Sequence, residues 1–209
     1  MSNTVKHQSS PFIAYLSRLR WIKRWGLMRN AEPENVIEHS WEVAVIAHCL
    51  ALIANAQFDR QLDAQAIATA ALFHDASEVL TGDLPTPVKY FHSSLTYAYR
   101  RIEHLARLEL LNTLPKAMQN AYCQLVDDSH WSKDQQQMIK AADTLSAYLK
   151  CLRELQAGNQ EFSQASAQLR DKLGQYEMPE VDYFLDTFVA DCALTLDSLL
   201  IQHPSKSVA

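Results

Sequence analysis

A histidine and an aspartate stand side by side at positions 74 and 75, in the alanine-rich segment ATAALFHDASEVL. Burying a charged side chain costs free energy unless the charge is paired or ligated. A neutral imidazole and a carboxylate are suitable ligands for a divalent cation. A structural salt bridge or a helix cap explains the doublet equally well, so these two residues alone leave both interpretations open.

Two further polar residues favour a metal site, and a third is a candidate for moving a proton there. His39 lies just after a helix start in NVIEHS, where the helix dipole disfavours imidazolium and predicts the neutral ring that a metal needs. Asp143 has small neighbours in IKAADTLSAYL that leave space for a ligand, although a solvated or capping aspartate is the alternative. Glu78 is four residues beyond His74, on the same face of the predicted helix, and is a candidate proton carrier.

The elements that must position these residues are predicted to be helices. The chain has 209 residues, 48% of them hydrophobic, which is enough for one sizeable core, and its four glycines leave little material for the tight turns of a sheet. Apolar periodicity predicts helices over residues 11–23, 36–57, 64–80, 94–111, 115–126, 133–155, 161–173 and 181–200. We therefore expect an all-α fold in which residues 1–209 form a single domain.

Two connections near the candidate ligands have clear turn chemistry. Asn35 and Glu38 have the spacing of a capping box, which places His39 in about the first turn of the long second helix. Gly82 is expected to end the third helix, and the two prolines of TGDLPTP should stiffen the loop that follows.

Composition argues against several classes of partner. The net charge of −5 is unlike the basic surface of a protein that covers nucleic acid. The four cysteines form no C-x-x-C pair, so neither a disulfide framework nor a zinc knuckle is expected, and a reducing cytoplasm suits them. The longest apolar stretch, residues 43–56, is too short for a membrane span and is interpreted as a core helix. We expect a cytoplasmic protein with neither a nucleic-acid nor a membrane partner.

The order of His39, the doublet His74 and Asp75, and a distant Asp143 resembles the HD-domain superfamily of metal-dependent phosphohydrolases. The segments LSRLRWIKRWGLMRN, NVIEHS, FHDASEVLTGDLPTPVKY and AADTLSAYLKCL look more specifically like its bacterial 5′-deoxynucleotidase branch, and they cover most of residues 12–152. The resemblance implies a helical HD-domain fold. It also implies hydrolysis of deoxyribonucleoside 5′-monophosphates to deoxyribonucleoside and phosphate by direct attack of a metal-activated water.

The resemblance further implies a role for each residue of the site, which falls between about residues 18 and 143. One divalent cation, Co²⁺, Mn²⁺, Zn²⁺ or Fe²⁺, would be held by His39, His74, Asp75 and Asp143. The catalytic residues would be Arg24, which binds phosphate in a forked geometry, and Glu78, which manages the leaving-group proton. An alternative role for Glu78 is to orient His74. The substrate-binding residues would be Arg24, Trp25, His39, Asp75, Asp83, Leu84, Pro85, Thr86 and Asp143.

Several alternatives stay open at this stage. An HD-type nucleotide phosphodiesterase or a dNTP triphosphohydrolase would share the metal ligands, and a non-catalytic nucleotide-binding helical protein would retain only the fold. The resemblance implies a homodimer, in which the C-terminal helices complete the core or the dimer interface. His92, His104 and His130 lack partners at ligand spacing, so no second metal site is expected. Lys89 is interpreted as a solvated lysine.

Overall fold

This computed structural model describes residues 9–202 of the chain. These residues contain eleven α-helices. Four short 3-10 turns lie between them, and these residues form no β-strand. The prediction of an all-α fold is confirmed. The helices, α1 to α11, span Phe12–Ser17, Val36–Gln57, Ala64–Ala71, Glu78–Thr81, Thr86–Lys89, Ser93–Asn112, Lys116–Val126, Lys133–Gln156, Ser163–Gly174, Pro179–Phe188 and Leu196–Gln202.

Helix α2 begins where the sequence predicts. The Asn35 side chain accepts hydrogen bonds from the backbone N–H groups of Ile37 and Glu38, at 3.0 and 3.1 Å. The Glu38 carboxylate in turn accepts one from the Asn35 N–H, at 3.0 Å. This reciprocal capping box satisfies N–H groups that have no partner within the helix, and it fixes His39 near the start of α2.

The same helix forms the middle of the hydrophobic core. Helix α2 packs against α3, α8 and α10, and its buried face consists largely of alanine, valine, leucine and isoleucine. Among the described helices it alone is long and apolar enough, by length and composition, to cross a membrane, although the apolar stretch at residues 43–56 within it is shorter than a span. More than half of its most apolar window is buried by other helices, as expected for the core helix predicted from the sequence.

The predicted third helix, residues 64–80, is interrupted. Helix α3 ends at Ala71, and residues 72–77 form successive tight turns before α4 begins at Glu78. The Ala71 carbonyl accepts hydrogen bonds from the backbone N–H of His74, at 3.3 Å, and from the His74 ring, at 2.8 Å. A side chain that occupies this carbonyl competes with the bond that would continue the α-helix, so His74 and Asp75 lie in a turn and not on a helix face.

This turn is held between two groups of buried apolar side chains. Ala71 belongs to the main core of α2, α3, α8, α9 and α10. Ala76 belongs to a second cluster that α1, α6 and α7 complete. The backbone on both sides of the His74–Asp75 doublet is therefore anchored by packing, which is what a precise site requires. The second cluster contains Phe12, Ala76, Leu110, Leu111, Leu114 and Val126.

The other predicted helices differ mainly at their ends. The first helix stops at Ser17 and continues as a 3-10 turn, Arg18–Trp21. The helix predicted over residues 181–200 is two helices, α10 and α11, because Thr195 starts a new one by accepting a hydrogen bond from the Ser198 N–H at 3.2 Å. The proline loop contains the short helix α5. The remaining predicted helices are within a few residues of those observed.

Candidate metal and phosphate site

The four side chains predicted to bind a cation converge where α2, α8 and the turn at residues 72–77 meet. His39 Nε2 lies 3.3 Å from Asp143 Oδ1 and 3.6 Å from Asp75 Oδ2. His74 Nε2 lies 3.0 Å from the same Asp75 oxygen, and the two imidazole centroids are 5.2 Å apart. Tertiary packing has therefore brought together three segments that are distant in the sequence.

Each histidine ring is oriented by a contact to its Nδ1 atom, while its Nε2 atom faces the candidate site. The Ala71 carbonyl can only accept, so His74 Nδ1 carries a proton and donates it there at 2.8 Å. Ser146 Oγ donates its own proton to Glu42, at 2.6 Å, and its lone pair faces His39 Nδ1 at 3.1 Å. Both contacts place the proton on Nδ1 and leave Nε2 for a cation, as is usual for metal-binding histidines.

The residues fit a divalent cation. The Nε2 atoms of His39 and His74 are buried and have no hydrogen-bond partner among the described residues. One donor atom from each of His39, His74 and Asp143 can lie within 4.8 Å of the other two, and Asp75 stands beside both rings. Two imidazoles and two carboxylates are a donor set that first-row divalent metals accept. A cation would satisfy buried atoms that otherwise lack partners.

Electrostatics keeps both carboxylates ionised. Burial alone would favour their neutral forms, but His74 and His39 hold the pKa of Asp75 well below its usual range. Burial of Asp143 is likewise outweighed by Lys140, whose Nζ lies 2.8 Å from Asp143 Oδ2, and the pKa of Asp143 is well below its usual range. Two charged oxygen ligands are therefore available at neutral pH.

The prediction that the helix dipole keeps His39 neutral is wrong for the protein without a cation. Burial and the nearby Arg24 oppose the charged ring, but the Asp143 and Glu34 carboxylates beside its two nitrogens outweigh them and raise the pKa of His39 to about 9. Asp143, a candidate metal ligand, thus helps to stabilise a proton where a metal would bind. A bound cation must displace that proton, so its affinity depends on pH.

Arg24 and Trp25 lie beside this centre. Arg24 Nη1 is 3.4 Å from Asp75 Oδ2, and the guanidinium is largely buried. An antiparallel bridge between Lys23 and Asn35, flanked by the bond from the Arg24 N–H to the Glu34 carbonyl, ties this segment to the start of α2. Trp25 has φ of +58°, an uncommon value for a bulky residue that indicates local strain.

Glu34 is a residue of the site that the sequence reasoning missed. Its Oε1 lies 3.3 Å from His39 Nδ1 and 3.6 Å from Arg24 Nε, and its Oε2 accepts a hydrogen bond from Trp25 Nε1 at 3.1 Å. One buried carboxylate thus contacts a candidate metal ligand and both predicted phosphate-side residues. The sequence did contain a signal for this role: Glu34 is an acidic residue directly before the helix cap Asn35, and the capping box of Asn35 and Glu38 does not use it.

The loop that carries Glu34 is held by the far end of α8. The Glu154 carboxylate accepts hydrogen bonds from the backbone N–H groups of Ala31, at 2.8 Å, and Glu32, at 3.0 Å. Lys150 forms an ion pair with Glu154 and donates to the Glu32 carbonyl, and both side chains are fully buried. Glu154, which lies beyond the segments that carry the family resemblance, therefore positions this loop.

Glu78 and Asp83 have unusual carboxyl groups. Glu78 is buried, and its Oε2 has no hydrogen-bond partner among the described residues. Burial, Asp75 and Asp83 raise the pKa of Glu78 well above its usual value, and burial also raises the pKa of Asp83. The His74 ring donates its hydrogen bond to the Ala71 carbonyl, and the alternative role of Glu78 in orienting His74 stays a prediction.

A cavity of about 890 Å³ opens beside the candidate ligands. His74, Asp75 and Asp143 form part of its wall. Arg24, Trp25, Glu78 and the loop at 83–86 are not among the described residues that line it, so their predicted substrate contacts stay predictions. Its basic lining residues, suited to an anionic ligand, are Lys89, Arg100, Arg107, Lys133 and Lys140.

Lys89 differs from its sequence interpretation. Its ammonium group lies 2.8 Å from Glu103 Oε1 and 5.0 Å from the centre of the Tyr99 ring, and its side chain is only 25% exposed. The ammonium group of Lys89 is thus fixed on the cavity wall by its ion pair with Glu103 and is not freely solvated. Lys140, which the sequence reasoning did not single out, combines a place on this wall with its ion pair to Asp143.

Solved structures with a similar fold include HD-domain phosphohydrolases. One from Listeria innocua has a TM-score of 0.77 at 25% identity, covering 91% of this chain and 93% of its own. The HD phosphohydrolase of cyanophage S-2L, whose structure holds dA and one catalytic Zn²⁺ ion, has a TM-score of 0.65 at 19% identity and covers 90% and 99% of the two chains. Fold and site together define the class as an HD-domain phosphohydrolase.

Sequence relatives narrow this class. The family model described as 5′-deoxynucleotidase YfbR-like matches residues 11–192. A 5′-deoxynucleotidase of Cronobacter sakazakii is 48% identical over 93% of this chain and 98% of its own, and one of Erwinia tasmaniensis is 50% identical over 91% and 96%. The chain therefore belongs to the YfbR-like 5′-deoxynucleotidase family. The resemblance proposed from the sequence, and the class of enzyme that it implies, are confirmed.

Proposed function

We propose that this protein hydrolyses deoxyribonucleoside 5′-monophosphates to the deoxyribonucleoside and phosphate, using one divalent cation. The observation that carries the proposal is the convergence of two unpartnered imidazole Nε2 atoms with the Asp75 and Asp143 carboxylates in a chain of this family. Arg24, at 3.4 Å from Asp75, supplies a buried guanidinium next to that centre.

His39, His74, Asp75 and Asp143 would hold the cation. When bound, it supplies Lewis-acid chemistry, lowering the pKa of water and neutralising charge on phosphate. The chain fixes the direction of both imidazoles through Ala71 and Ser146 and keeps both carboxylates charged. We propose Co²⁺, Mn²⁺, Zn²⁺ or Fe²⁺ as the ion, because each accepts mixed nitrogen and oxygen ligands.

Arg24 would bind the phosphate. Its Nε is buried without a hydrogen-bond partner, and Asp75, Asp143 and Glu34 keep the guanidinium charged against the cost of burial, so that the pKa of Arg24 is raised. A planar guanidinium can present two parallel N–H donors to phosphate oxygens. Trp25 and the loop residues Asp83, Leu84, Pro85 and Thr86 would then contact the sugar and base.

Glu78 would give a proton to the leaving 5′-oxygen. As water oxygen bonds to phosphorus and the bond from phosphorus to the 5′-oxygen breaks, the nucleoside alkoxide that leaves is a strong base. Burial and the charges of Asp75 and Asp83 raise the pKa of Glu78, so this carboxyl holds a proton at a pH where an exposed glutamate does not. A raised carboxyl pKa is typical of a general acid.

Phosphate release from matched substrates tests this function. The protein, freed of metal, would receive one divalent cation at a time and then paired deoxy- and ribonucleoside 5′-monophosphates. We expect cation-dependent release from the deoxy substrates, lost in Asp75→Asn and retained in Asp186→Asn, which changes an exposed aspartate on α10. No release from any monophosphate with any of the cations would refute the proposal, and release of tripolyphosphate or cleavage of a diester would favour the alternative HD activities.

We also propose that residues 1–209 act as one HD domain in a cytoplasmic homodimer. Exposed apolar residues on α11, namely Leu196, Leu200 and Ile201, support a partner for the C-terminal helices. Sedimentation equilibrium of the full chain measures this directly. A mass of twice 23.7 kDa is expected, and a monomer at assay concentration would contradict the dimer without affecting the proposed activity.

A further inference from the structure

Three potential metal ligands lie together at the C-terminal end of α7, apart from the centre described above. Cys123 is in the last turn of α7, Asp127 follows its final residue, and His130 closes the 3-10 turn Asp128–His130. One donor atom from each lies within 4.8 Å of the other two. The expectation that His130 has no partner at ligand spacing is therefore wrong, because its partners are a cysteine and an aspartate.

Two of the three donor pairs have close to the separation that a tetrahedral ion needs. Cys123 Sγ lies 3.7 Å from His130 Nδ1, and this nitrogen lies 3.7 Å from Asp127 Oδ2. With zinc bonds of about 2.3 Å to sulfur and about 2.0–2.2 Å to nitrogen and oxygen, tetrahedral geometry places such donors about 3.3–3.6 Å apart. The donor atoms of Cys123 and Asp127 lie within 4.8 Å of each other, so side-chain rotations that close this third separation by at most about 1.2 Å bring the three donors onto one ion.

The charges around the cluster also suit a cation. The end of α7 carries the negative pole of the helix dipole. The Ser129 N–H donates a hydrogen bond to Asp127 Oδ1 at 3.2 Å, which leaves Oδ2, the oxygen that faces His130, for an ion. Arg107 Nε is 3.9 Å from Asp127, but Arg107 Nη2 is closer to Asp128, at 3.2 Å, so Asp128 can retain this arginine when Asp127 binds an ion.

We propose that Cys123, Asp127 and His130 form a second cation site, suited to one Zn²⁺ or Co²⁺ ion with water in the fourth position. Binding replaces the S–H bond of Cys123 by a bond from sulfur to the metal and releases one proton to solvent. Cysteine sulfur and imidazole nitrogen select borderline ions of this kind over Mg²⁺ or Ca²⁺. Asp128, Ser129 and Trp131 line the large cavity, so the ion lies just behind its wall.

Cobalt absorption distinguishes this site from the catalytic one. A thiolate bound to Co²⁺ gives an intense near-ultraviolet charge-transfer band, and the centre at His39, His74, Asp75 and Asp143 contains no sulfur. Titration of the metal-free full chain with Co²⁺ should produce this band, and Zn²⁺ should remove it. Cys123→Ser should abolish the band. His130→Ala should lower the Co²⁺ affinity of this site by at least about tenfold, since one of three ligands is lost.

Two controls make the result decisive. Cys192→Ser, which changes the exposed cysteine of the 3-10 turn Asp191–Ala193, should keep the band. Asp75→Asn should also keep it while losing the catalytic cation, so failure of the proposed function and failure of this site are separable. Absence of the band at saturating Co²⁺, or its survival in Cys123→Ser, overturns the proposal. Circular dichroism on each variant checks that the helices are intact.

Discussion

The proposed catalytic centre and the Cys123–Asp127–His130 cluster draw their potential metal ligands from different numbers of segments. The centre takes its ligands from α2, from the turn at residues 72–77 and from α8, and His39 within it is 1% exposed. The cluster takes all three ligands from eight consecutive residues, and the His130 side chain is 41% exposed. The first depends on the packing of the whole molecule, and the second depends on one helix end.

The two regions also differ in how their ligands are supported. At the centre, Ala71 and Ser146 each fix one imidazole, and Glu34 contacts His39 together with Arg24 and Trp25. At the cluster, the polar side-chain contacts of His130 within residues 9–202 are with the neighbouring Ser129 hydroxyl and the other two potential ligands. Outer contacts of this kind typically change metal affinity by about 10–100-fold. Tight binding is thus expected at the centre and weaker, exchangeable binding at the cluster.

The largest effect among the following variants is expected for Glu78→Gln, which acts at the centre alone. Loss of the proton donor should reduce kcat by about 10²–10³-fold, within the range for general acid catalysis. Because a deprotonated Glu78 cannot donate, wild-type kcat should fall as pH rises through the raised pKa of Glu78, and the variant should lack this fall. Steady-state kinetics across pH measures both.

The matched control is Glu109→Gln, which changes an exposed glutamate on α6 and should leave kcat unaltered. If Glu78→Gln keeps its kcat and instead binds the cation more weakly, Glu78 supports the ligands and is not the proton donor.

Glu154→Gln tests whether the proposed catalytic centre depends on the buried contacts of Glu154 while the Cys123–Asp127–His130 cluster does not. Burial is outweighed by Lys150, the N–H groups of Ala31 and Glu32, and Asn159, which lower the pKa of Glu154 from 4.5 to about 2. A shift of this size corresponds to about 3 kcal/mol of unfolding free energy at neutral pH. That contribution is present above about pH 4.5 and is lost as pH falls towards 2.

Urea unfolding at several pH values provides the measurement. The stability difference between wild type and Glu154→Gln should be about 3 kcal/mol at pH 7 and should shrink in acid. At urea concentrations too low to unfold it, the Glu154→Gln protein should bind the catalytic cation more weakly than the wild type. It should keep the Co²⁺–thiolate band. Equal weakening of both sites would mean that the cluster is not locally determined.

Glu34→Gln should separate support of the centre from the chemistry itself. Loss of the charged contact to His39 Nδ1 should weaken cation binding by about 10–100-fold. Loss of the contact to Arg24 should raise KM for the nucleotide, while kcat at saturating cation should change less than in Glu78→Gln. Calorimetric titration with Co²⁺, combined with kinetics, gives both values.

Glu32→Gln is the control here, because this side chain lies two residues away and is exposed. Unaltered cation affinity and KM in Glu34→Gln would contradict the positioning role of Glu34.

Cys123→Ser should have the smallest effect on the reaction. Among the described residues the polar partner of its thiol is His130, outside the proposed catalytic centre, so kcat and KM with the catalytic cation present should change by less than about twofold. Only the thiolate band should disappear. A large loss of activity in a folded Cys123→Ser protein would mean that the two regions are coupled through the cavity wall.

The sequence by itself determined the helical fold and the kinds of ligand. Few glycines and apolar periodicity predicted the helices, and the Asn35–Glu38 capping box located the start of α2 because capping is local chemistry. The motif around His39, His74, Asp75 and Asp143 predicted the family. The break in the predicted helix at residues 72–77 was not predicted. The hydrogen bond from the His74 ring to the Ala71 carbonyl competes with continuation of the helix, and it forms only in the folded site.

Only the tertiary structure decided which other charges surround the ligands. Glu34, Lys140 and Glu154 are ordinary polar residues in the sequence, and their importance comes from burial next to groups far away in the chain. The charge of His39 shows the physical reason. A helix dipole is a local property and favours the neutral ring, whereas Asp143 and Glu34 reach it through packing and raise its pKa to about 9.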